Sequence, residues 1–322
     1  MSFSLTLQDI KEARARIETY IVRTPIIKSY KLSERFGCEI YIKPEIFQPI
    51  GAFKVRGALS KALSVSAEER AHGLITTSSG NHAQGVAYAG RMLGVRAVIV
   101  MQPDGPVQKR ENTEALGGEI MFAEGDYEVR WKKVLEIAAE NGFVPIHAYD
   151  DPAVMAGQGT IGMEILEDLS DVDTVIVPIG GGGLISGVST AVKGLDTSVR
   201  VVGAEPDATA VFQKSRANGR PTSIPVTHTI ADGLQLSVPK ENAFSVIEKN
   251  VDELITVRDE TMKEAVRMIA RDVKILAEPS SAICLGTLIE NKLKVSPGEK
   301  VCMVITGGNW GLDKMAEIFA EK

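Results

Sequence analysis

The stretch that decides the fold class is Thr174-Val-Ile-Val-Pro-Ile-Gly-Gly-Gly-Gly-Leu-Ile-Ser-Gly187. A short apolar run, typical of a strand buried on both faces, leads into four glycines and then into a helical pattern. Apolar runs of this kind predict strands at residues 40–43, 74–77, 97–101, 119–123, 174–177, 199–204 and 301–305. Amphipathic stretches between them predict helices at residues 81–93, 126–141, 160–169 and 260–272. This alternation predicts an α/β fold with mostly parallel sheets.

The composition favours a two-domain enzyme or binding protein of the cytoplasm. With 322 residues the chain exceeds a typical single core, and its formal net charge of -6 argues against a nucleic-acid partner. No apolar run reaches the length of a membrane span, and the first residues lack the features of a signal peptide. Cys38, Cys284 and Cys302 form no paired motif, so we expect buried, reduced thiols and a cytoplasmic location.

Ligands of parallel sheets bind beyond the carboxyl ends of the strands, a rule that selects three loops here. In the first loop, Gly180 to Gly183 let backbone N–H groups converge on a phosphate. A dinucleotide site is the alternative, since Glu205 ends a later strand where a ribose-binding acid would lie. The glycines fit no register of Gly-x-Gly-x-x-Gly, however, so a phosphate without a dinucleotide is favoured.

The other two loops carry hydroxyl and amide groups. Ser78-Ser-Gly-Asn-His-Ala-Gln-Gly85 begins a helix whose backbone amides could hold a carboxylate; an ordinary capped helix start with a structural His82 is the alternative. Thr306-Gly-Gly-Asn309 permits the close approach of a ligand, or forms a simple tight turn. Glu278 precedes a helix-starting proline and is either a site carboxylate or a solvated helix cap.

Lys54 lies in an unusual setting, Gly51-Ala-Phe-Lys-Val-Arg-Gly-Ala58. Its small neighbours let a planar group approach the backbone, and Phe53 offers a flat, partly dry face. Desolvation lowers the pKa of a lysine, and the neutral amine is the form that attacks a carbonyl. We expect Arg56 to lower this pKa further by charge repulsion if it lies close. The alternative is an ordinary solvated surface lysine.

An aldehyde-carrying phosphate cofactor explains these motifs together. Their order, over nearly the whole length, resembles that of the fold-type II pyridoxal-phosphate enzymes, close to threonine/serine dehydratases and serine racemases. The resemblance implies a tryptophan synthase β-like α/β fold, with two open, twisted, mostly parallel sheets flanked by helices. It further implies a large cofactor-binding domain of residues 1–63 and 151–322, with a small mobile domain of residues 73–150 inserted in it.

The resemblance also implies a role for each site residue. Lys54 forms the Schiff base with pyridoxal 5'-phosphate and removes the alpha proton of the substrate. The other implied cofactor contacts are Phe53 against the ring, Asn81 at the phenolic oxygen, Gly180, Gly181, Gly182, Gly183 and Leu184 at the phosphate, Thr306 at the pyridine nitrogen and Glu278 near the ring. The substrate carboxylate is expected at Ser78, Ser79, Gly80, Asn81 and His82, with Arg130 on the substrate side.

The implied activity is loss of the beta hydroxyl from L-threonine, L-serine or both, which gives a 2-oxo acid and ammonia. A neutral hydroxyl at the pyridine nitrogen makes the ring a weaker electron sink than an aspartate would, which favours this loss. Serine racemase and L-threo-3-hydroxyaspartate dehydratase are the near alternatives. Ser79 matches the second acid/base of the racemases, whereas Leu236 stands where animal racemases carry a serine. A non-catalytic, ligand-sensing relative is the distant alternative, and a homodimer or homotetramer is expected.

Whether a divalent cation binds stays open. Family members that bind one use a glutamate followed six residues later by an aspartate, and here Glu205 is followed by Val211 at that spacing. A lone carboxylate rarely holds magnesium, and Asp207 is the substitute nearby.

Overall fold

The computed structural model describes residues 3–103, 107–225 and 227–321, and it contains two separate sheets. The strands are β1 Ile27–Lys28, β2 Glu39–Pro44, β3 Leu74–Thr77, β4 Ala97–Met101, β5 Gly118–Phe122, β6 Val144–Pro145, β7 Thr174–Pro178, β8 Arg200–Pro206, β9 Glu253–Val257 and β10 Lys300–Ile305. The α-helices are α1 Leu7–Ile17, α2 Tyr30–Phe36, α3 Lys54–Ser64, α4 Ala67–Ala71, α5 Asn81–Leu93, α6 Val107–Ala115, α7 Tyr127–Asn141, α8 Pro152–Asp168, α9 Gly183–Leu195, α10 Val211–Asn218, α11 Glu241–Asn250, α12 Asp259–Asp272, α13 Pro279–Ile289 and α14 Leu312–Ala320. Short 3-10 helices lie at Glu45–Phe47, Asp207–Thr209 and Asp232–Leu234. No α-helix within these ranges is long and apolar enough to cross a membrane.

The two sheets confirm the predicted α/β class, because every strand pair except β1–β2 is parallel. One sheet has six strands in the order β1-β2-β10-β7-β8-β9, and the other has four in the order β5-β4-β3-β6. The four-stranded sheet lies within residues 74–145, and the six-stranded sheet uses the chain on both sides of that segment. The boundaries and the mobility of an inserted domain at residues 73–150 stay predictions.

All the predicted strands are confirmed, with ends that differ by up to two residues. Strand β5 departs from the expected burial on both faces, since it lies at a sheet edge and leaves Met121 and Phe122 exposed. Strands β1 and β6, of two residues each, and the edge strand β9 were not predicted, because none has a long apolar run.

Helix α8 begins at Pro152, and the predicted start at residue 160 is wrong. Residues 154–165 of this helix are all buried, and the segment before residue 160 therefore shows no amphipathic pattern. Glycines let α8 and α9 pack in close contact. A Cβ atom added at Gly187 would lie 2.1 Å from the Met155 carbonyl oxygen, and a Cβ atom added at Gly159 would lie 2.8 Å from the Gly187 carbonyl oxygen. Helix α8 in turn packs against α3, the helix that begins with Lys54.

A buried group of four charges fixes helix α3; we call Lys43, Glu45, Arg56 and Glu164 the Arg56 cluster. Arg56 is fully buried and donates to Glu45 at 2.7 and 2.8 Å and to Glu164 at 2.6 and 2.9 Å. Lys43 is also fully buried and pairs with Glu164 at 2.6 Å. The cluster balances two positive against two negative charges and joins β2, the 3-10 helix after it, α3 and α8.

We predict that Arg56→Met lowers the free energy of unfolding by about 3–5 kcal/mol, because it leaves two buried carboxylates with one lysine. Arg96→Met is the matched control. Arg96 pairs with Glu119 at the surface, where the side chains are 61% and 49% exposed, so its removal is expected to cost less than about 1 kcal/mol. Urea unfolding of both variants measures the difference, and equal losses would show that the Arg56 cluster contributes no more than a surface ion pair.

Candidate active site

Every residue to which the resemblance assigns a cofactor or substrate contact lines one cavity of about 740 Å³. The cavity lies where β3, β7 and β10 end, so the three loops selected above meet there. Strands of both sheets therefore contribute to it, and Lys54 joins them from the start of α3. The contacts of these residues with a ligand stay predictions.

The half-buried Lys54 side chain lines this cavity. Its Nζ donates to the Ala148 carbonyl oxygen at 2.8 Å and lies 5.2 Å from the centroid of the Phe53 ring. Burial lowers the pKa of Lys54 to about 8, because the charged form loses hydration. The expected repulsion by Arg56 is wrong, since that guanidinium is turned away into the Arg56 cluster. The lowered pKa makes the neutral amine, which is the form that attacks a carbonyl, easier to reach than in a solvated lysine.

Backbone pairing ties the Lys54 loop to the Thr306 loop. Ala52 and Gly307 form an isolated antiparallel bridge, and the Phe53 N–H donates to the Thr306 carbonyl oxygen at 3.0 Å. Ser281, which the sequence analysis missed, lies with its hydroxyl 2.8 Å from that of Thr306 and donates to the Gly307 carbonyl oxygen at 2.7 Å. The neutral Thr306 hydroxyl is thereby fixed in the cavity wall. The only sequence sign of Ser281 was its place in the first turn after Glu278.

Two amide side chains form a hydrogen-bonded chain that ends at Glu278. Asn81 Nδ2 donates to Glu278 Oε1 at 3.0 Å, and Asn309 Nδ2 donates to Asn81 Oδ1 at 2.9 Å. Burial raises the pKa of Glu278 to about 7, against the opposing charge of Lys109 and the hydrogen bond from Asn81. Glu278 is therefore a buried cavity group, and the solvated helix cap is excluded.

The glycine loop, Gly180 to Gly183, presents only backbone atoms to the cavity. Gly182 has a φ of 86°, in the left-handed region, directly before the 13-residue helix α9. A Cβ at Gly181 would lie 2.2 Å from the Tyr149 ring, and a Cβ at Gly183 would lie 2.6 Å from the Tyr149 carbonyl oxygen. The first amides of a helix lack an intrahelical acceptor and favour an anion, so the loop fits a phosphate. Tyr149, which no sequence pattern indicated, closes one side of this loop.

The loop before α5 carries two hydroxyls, and the first turn of α5 carries a buried imidazole. Ser78 Oγ accepts the N–H of Gly80 at 3.1 Å, and Ser79 beside it is partly buried. His82 Nε2 lies 3.1 Å from the Ile146 carbonyl oxygen. Burial lowers the pKa of His82 to about 3, so the ring is neutral at pH 7.

Arg130 lies in the cavity wall with 8% of its surface exposed. Its Nε donates to Thr77 Oγ1 at 3.2 Å, and its Nη1 donates to the Gly125 carbonyl oxygen. Arg130 thus lines the cavity, and its contact with a substrate stays a prediction.

Glu205 has a structural role that disfavours a cation site. Its carboxylate is fully buried and accepts the backbone N–H groups of Phe212 at 2.9 Å and Gln213 at 2.8 Å, at the start of α10. Val211 beside it is fully buried, and Asp207 points to the surface and is exposed. In the part of the chain that the structure describes, no three His, Cys, Asp or Glu side chains gather as a metal site. These residues do not fit a divalent cation at Glu205.

We predict that burial of Lys54 destabilises the cofactor-free protein at neutral pH and that this penalty fades in alkali. The lysine is protonated below about pH 8 in the folded state and below 10.5 in the unfolded state, so stability rises with pH between these values. Relative to Lys54→Met, wild-type protein should gain about 1–3 kcal/mol between pH 7 and pH 10. Urea unfolding at several pH values measures this gain. A constant difference between the two proteins would show that the amine is solvated.

Comparison with known proteins identifies the family. The chain matches the family model described as "Pyridoxal-phosphate dependent enzyme" over residues 17–307. It is 41% identical over 305 residues to an L-threonine ammonia-lyase of Thermotoga maritima, with 95% of this chain and 76% of the relative covered. It is 38% identical over 318 residues to the L-threo-3-hydroxyaspartate ammonia-lyase of Saccharomyces cerevisiae, with 98% and 97% covered. The solved structure of maize serine racemase has a TM-score of 0.94 and 36% identity, with 98% and 97% covered. The chain therefore belongs to the family of pyridoxal-phosphate dependent enzymes, as the order of its motifs predicted.

Proposed function

We propose that this protein is a pyridoxal-phosphate-dependent ammonia-lyase that converts L-threonine, L-serine or both into a 2-oxo acid and ammonia. The observation that carries the proposal is the position of the half-buried Lys54, whose amine has a lowered pKa and lines the same cavity as the glycine loop. The ammonia-lyase relatives support this reaction class.

The cavity residues fit the cofactor. Lys54 would hold its aldehyde carbon covalently, and the amides of Gly180–Leu184 would hold its phosphate, where the space leaves no room for side chains. Asn81 would meet the phenolic oxygen, Thr306 the pyridine nitrogen, and Phe53 the ring. When bound, pyridoxal phosphate supplies the electron sink that stabilises a carbanion at the alpha carbon of an amino acid.

The protein's own groups then determine which reaction follows. Lys54 takes the alpha proton, which a neutral amine with a pKa of about 8 can do near neutral pH. The first amides of α5 and the hydroxyls of Ser78 and Ser79 provide donors for the substrate carboxylate. Thr306 offers the pyridine nitrogen a neutral hydroxyl and no anion, which limits charge delocalisation and favours loss of the beta hydroxyl over transamination.

Two cavity residues favour alternative functions, one the racemisation of serine and the other the use of L-threo-3-hydroxyaspartate as substrate. Ser79 lies in the same cavity as Lys54, and inversion at the alpha carbon requires a second acid/base besides the lysine. Arg130 in the cavity wall favours a substrate with a second carboxylate, such as L-threo-3-hydroxyaspartate. Serine racemase and L-threo-3-hydroxyaspartate ammonia-lyase are therefore the two alternative functions.

The proposal includes a cytoplasmic location and assembly as a homodimer or homotetramer. The three cysteines support the location, since all are free and buried, as expected for a reducing compartment. The assembly rests on the family resemblance, and light scattering of the purified protein tests it.

We predict that the purified protein forms oxo acid from L-threonine or L-serine without net inversion, and that Lys54→Ala abolishes this turnover. The test follows oxo acid and enantiomer ratio with L-threonine, L-serine, D-serine and L-threo-3-hydroxyaspartate. Ser79→Ala should keep most of the elimination from the L-substrate and remove any racemisation. If serine is inverted faster than it is eliminated, the protein is a racemase. Full activity of Lys54→Ala would refute both the ammonia-lyase and the racemase function.

A further inference from the structure

The imidazole of His147 binds the backbone of residues 148–150, which connect β6 to α8 and which we call the 148–150 segment. Its Nδ1 accepts the N–H of Asp150 at 2.8 Å and the N–H of Tyr149 at 3.3 Å. A ring nitrogen that accepts carries no hydrogen, so the hydrogen of the neutral ring lies on Nε2. One acceptor thereby fixes two successive peptide groups in a stretch that belongs to no helix or strand.

Helix α7 holds this imidazole in place. Tyr127 and Trp131 lie four residues apart on α7 and therefore on one face of it. Both rings meet the His147 ring edge-on, with centroids 5.7 and 4.6 Å from its own. The Tyr127 hydroxyl oxygen lies 3.3 Å from Nε2 and accepts its hydrogen. His147 is 7% exposed, and hydrogen bonds at both of its nitrogens fix the ring.

The 148–150 segment carries two parts of the candidate active site. The Ala148 carbonyl oxygen accepts the hydrogen of Lys54 Nζ at 2.8 Å. The next residue, Tyr149, closes the glycine loop, since a Cβ at Gly181 would lie 2.2 Å from its ring and a Cβ at Gly183 would lie 2.6 Å from its carbonyl oxygen. The acceptor of the amine and the side chain that closes the phosphate loop are thus adjacent residues, and His147 binds the segment that contains both.

The imidazole keeps its acceptor at neutral pH. Burial lowers the pKa of His147 to about 4, and the positive charges of Lys240 and Lys54 act in the same direction. A second hydrogen, on Nδ1, would point at the N–H of Asp150, which lies 2.8 Å away. The neutral ring is therefore the form that fits the 148–150 segment.

We propose that His147 is a positioning residue, which sets the place of the Lys54 amine and the closure of the glycine loop through the 148–150 segment. The inference rests on the proposed function, in which Lys54 takes the alpha proton and the glycine loop holds the cofactor phosphate. Among the described residues, Ala148 and Tyr149 line the cavity and His147 lies behind them.

The role of the Ala148 carbonyl oxygen follows from the proton transfer. When Lys54 takes the alpha proton, the C–H bond breaks, its electron pair stays with the substrate, and a new N–H bond forms on Nζ. The carbonyl oxygen that accepts a hydrogen from the free amine can accept one from this ammonium as well. Because it is neutral, it orients the ammonium without holding the proton as strongly as a carboxylate would.

The test compares His147→Asn with His147→Leu. Oδ1 of asparagine is as many bonds from the backbone as Nδ1 of histidine and can accept the same N–H groups, whereas leucine has no acceptor. Both variants lose the contact of Nε2 with Tyr127 and the aromatic ring, so the difference between them isolates the Nδ1 acceptor. His147→Ala, which is also without an acceptor and is smaller, replaces His147→Leu if leucine prevents folding. His72→Leu, at the exposed end of α4, is the control for loss of a histidine.

The first measurement is binding of pyridoxal phosphate and of pyridoxal, which lacks the phosphate, to the cofactor-free protein, followed by absorbance. The ratio of the two dissociation constants isolates the contribution of the phosphate. We expect this ratio to fall about tenfold in His147→Leu, because a released Tyr149 no longer closes the glycine loop, and to stay within about threefold of wild type in His147→Asn and His72→Leu. Equal ratios in wild type, His147→Leu and His147→Asn would overturn the inference.

The second measurement uses the loaded enzyme with L-threonine or L-serine. We expect kcat of His147→Leu to fall about tenfold with an increased alpha-deuterium isotope effect and a smaller change in KM, and His147→Asn to restore most of kcat. Equal losses in both variants with an unchanged isotope effect would show that His147 only stabilises the fold. Wild-type protein that releases no oxo acid from any hydroxy amino acid would instead refute the proposed function. The binding ratios would still test His147, so the two failures are distinguishable.

Discussion

The position of Lys54 depends on the Arg56 cluster. Lys54 and Arg56 lie two residues apart in the first turn of α3, and the guanidinium is held by two carboxylates from different parts of the chain. Paired hydrogen bonds of this kind fix the rotation of the helix as well as its place. A buried ion cluster adds little net stability, because each charge loses its hydration. Its main contribution here is a fixed orientation, which turns Arg56 away from the cavity and Lys54 into it.

Loss of hydration is also the shared cause of the pKa shifts of the titratable groups that line the cavity. It lowers the pKa of Lys54 and of His82 and raises that of Glu278. Each shift favours the uncharged form of the group. An amine that is easily deprotonated can attack an aldehyde and later remove a proton. Anions are left to the backbone amides at the starts of α5 and α9, and at α9 the glycine loop leaves no room for a side chain.

The sequence predicted those parts of the fold that local patterns encode. Buried strands produce apolar runs, and loops that admit a ligand are rich in Gly, Ser, Asn and Thr, so β3, β7 and β10 and the cavity loops that follow them were found. The start of α8 was missed because a helix buried on all sides has no amphipathic period. The direction of Arg56 and the closure of the glycine loop by Tyr149 arise from contacts between distant segments, which no local pattern records.

The most direct test of this account is to identify the lysine that holds the cofactor. The purified enzyme loaded with pyridoxal phosphate is reduced with borohydride, digested, and analysed by mass spectrometry for the peptide that carries the reduced cofactor. Two lysines line the cavity among the described residues, Lys54 and Lys109. We predict that the label lies on Lys54 alone. A label on Lys109, or on any lysine outside the cavity, would contradict the central claim that burial of Lys54 creates the active site.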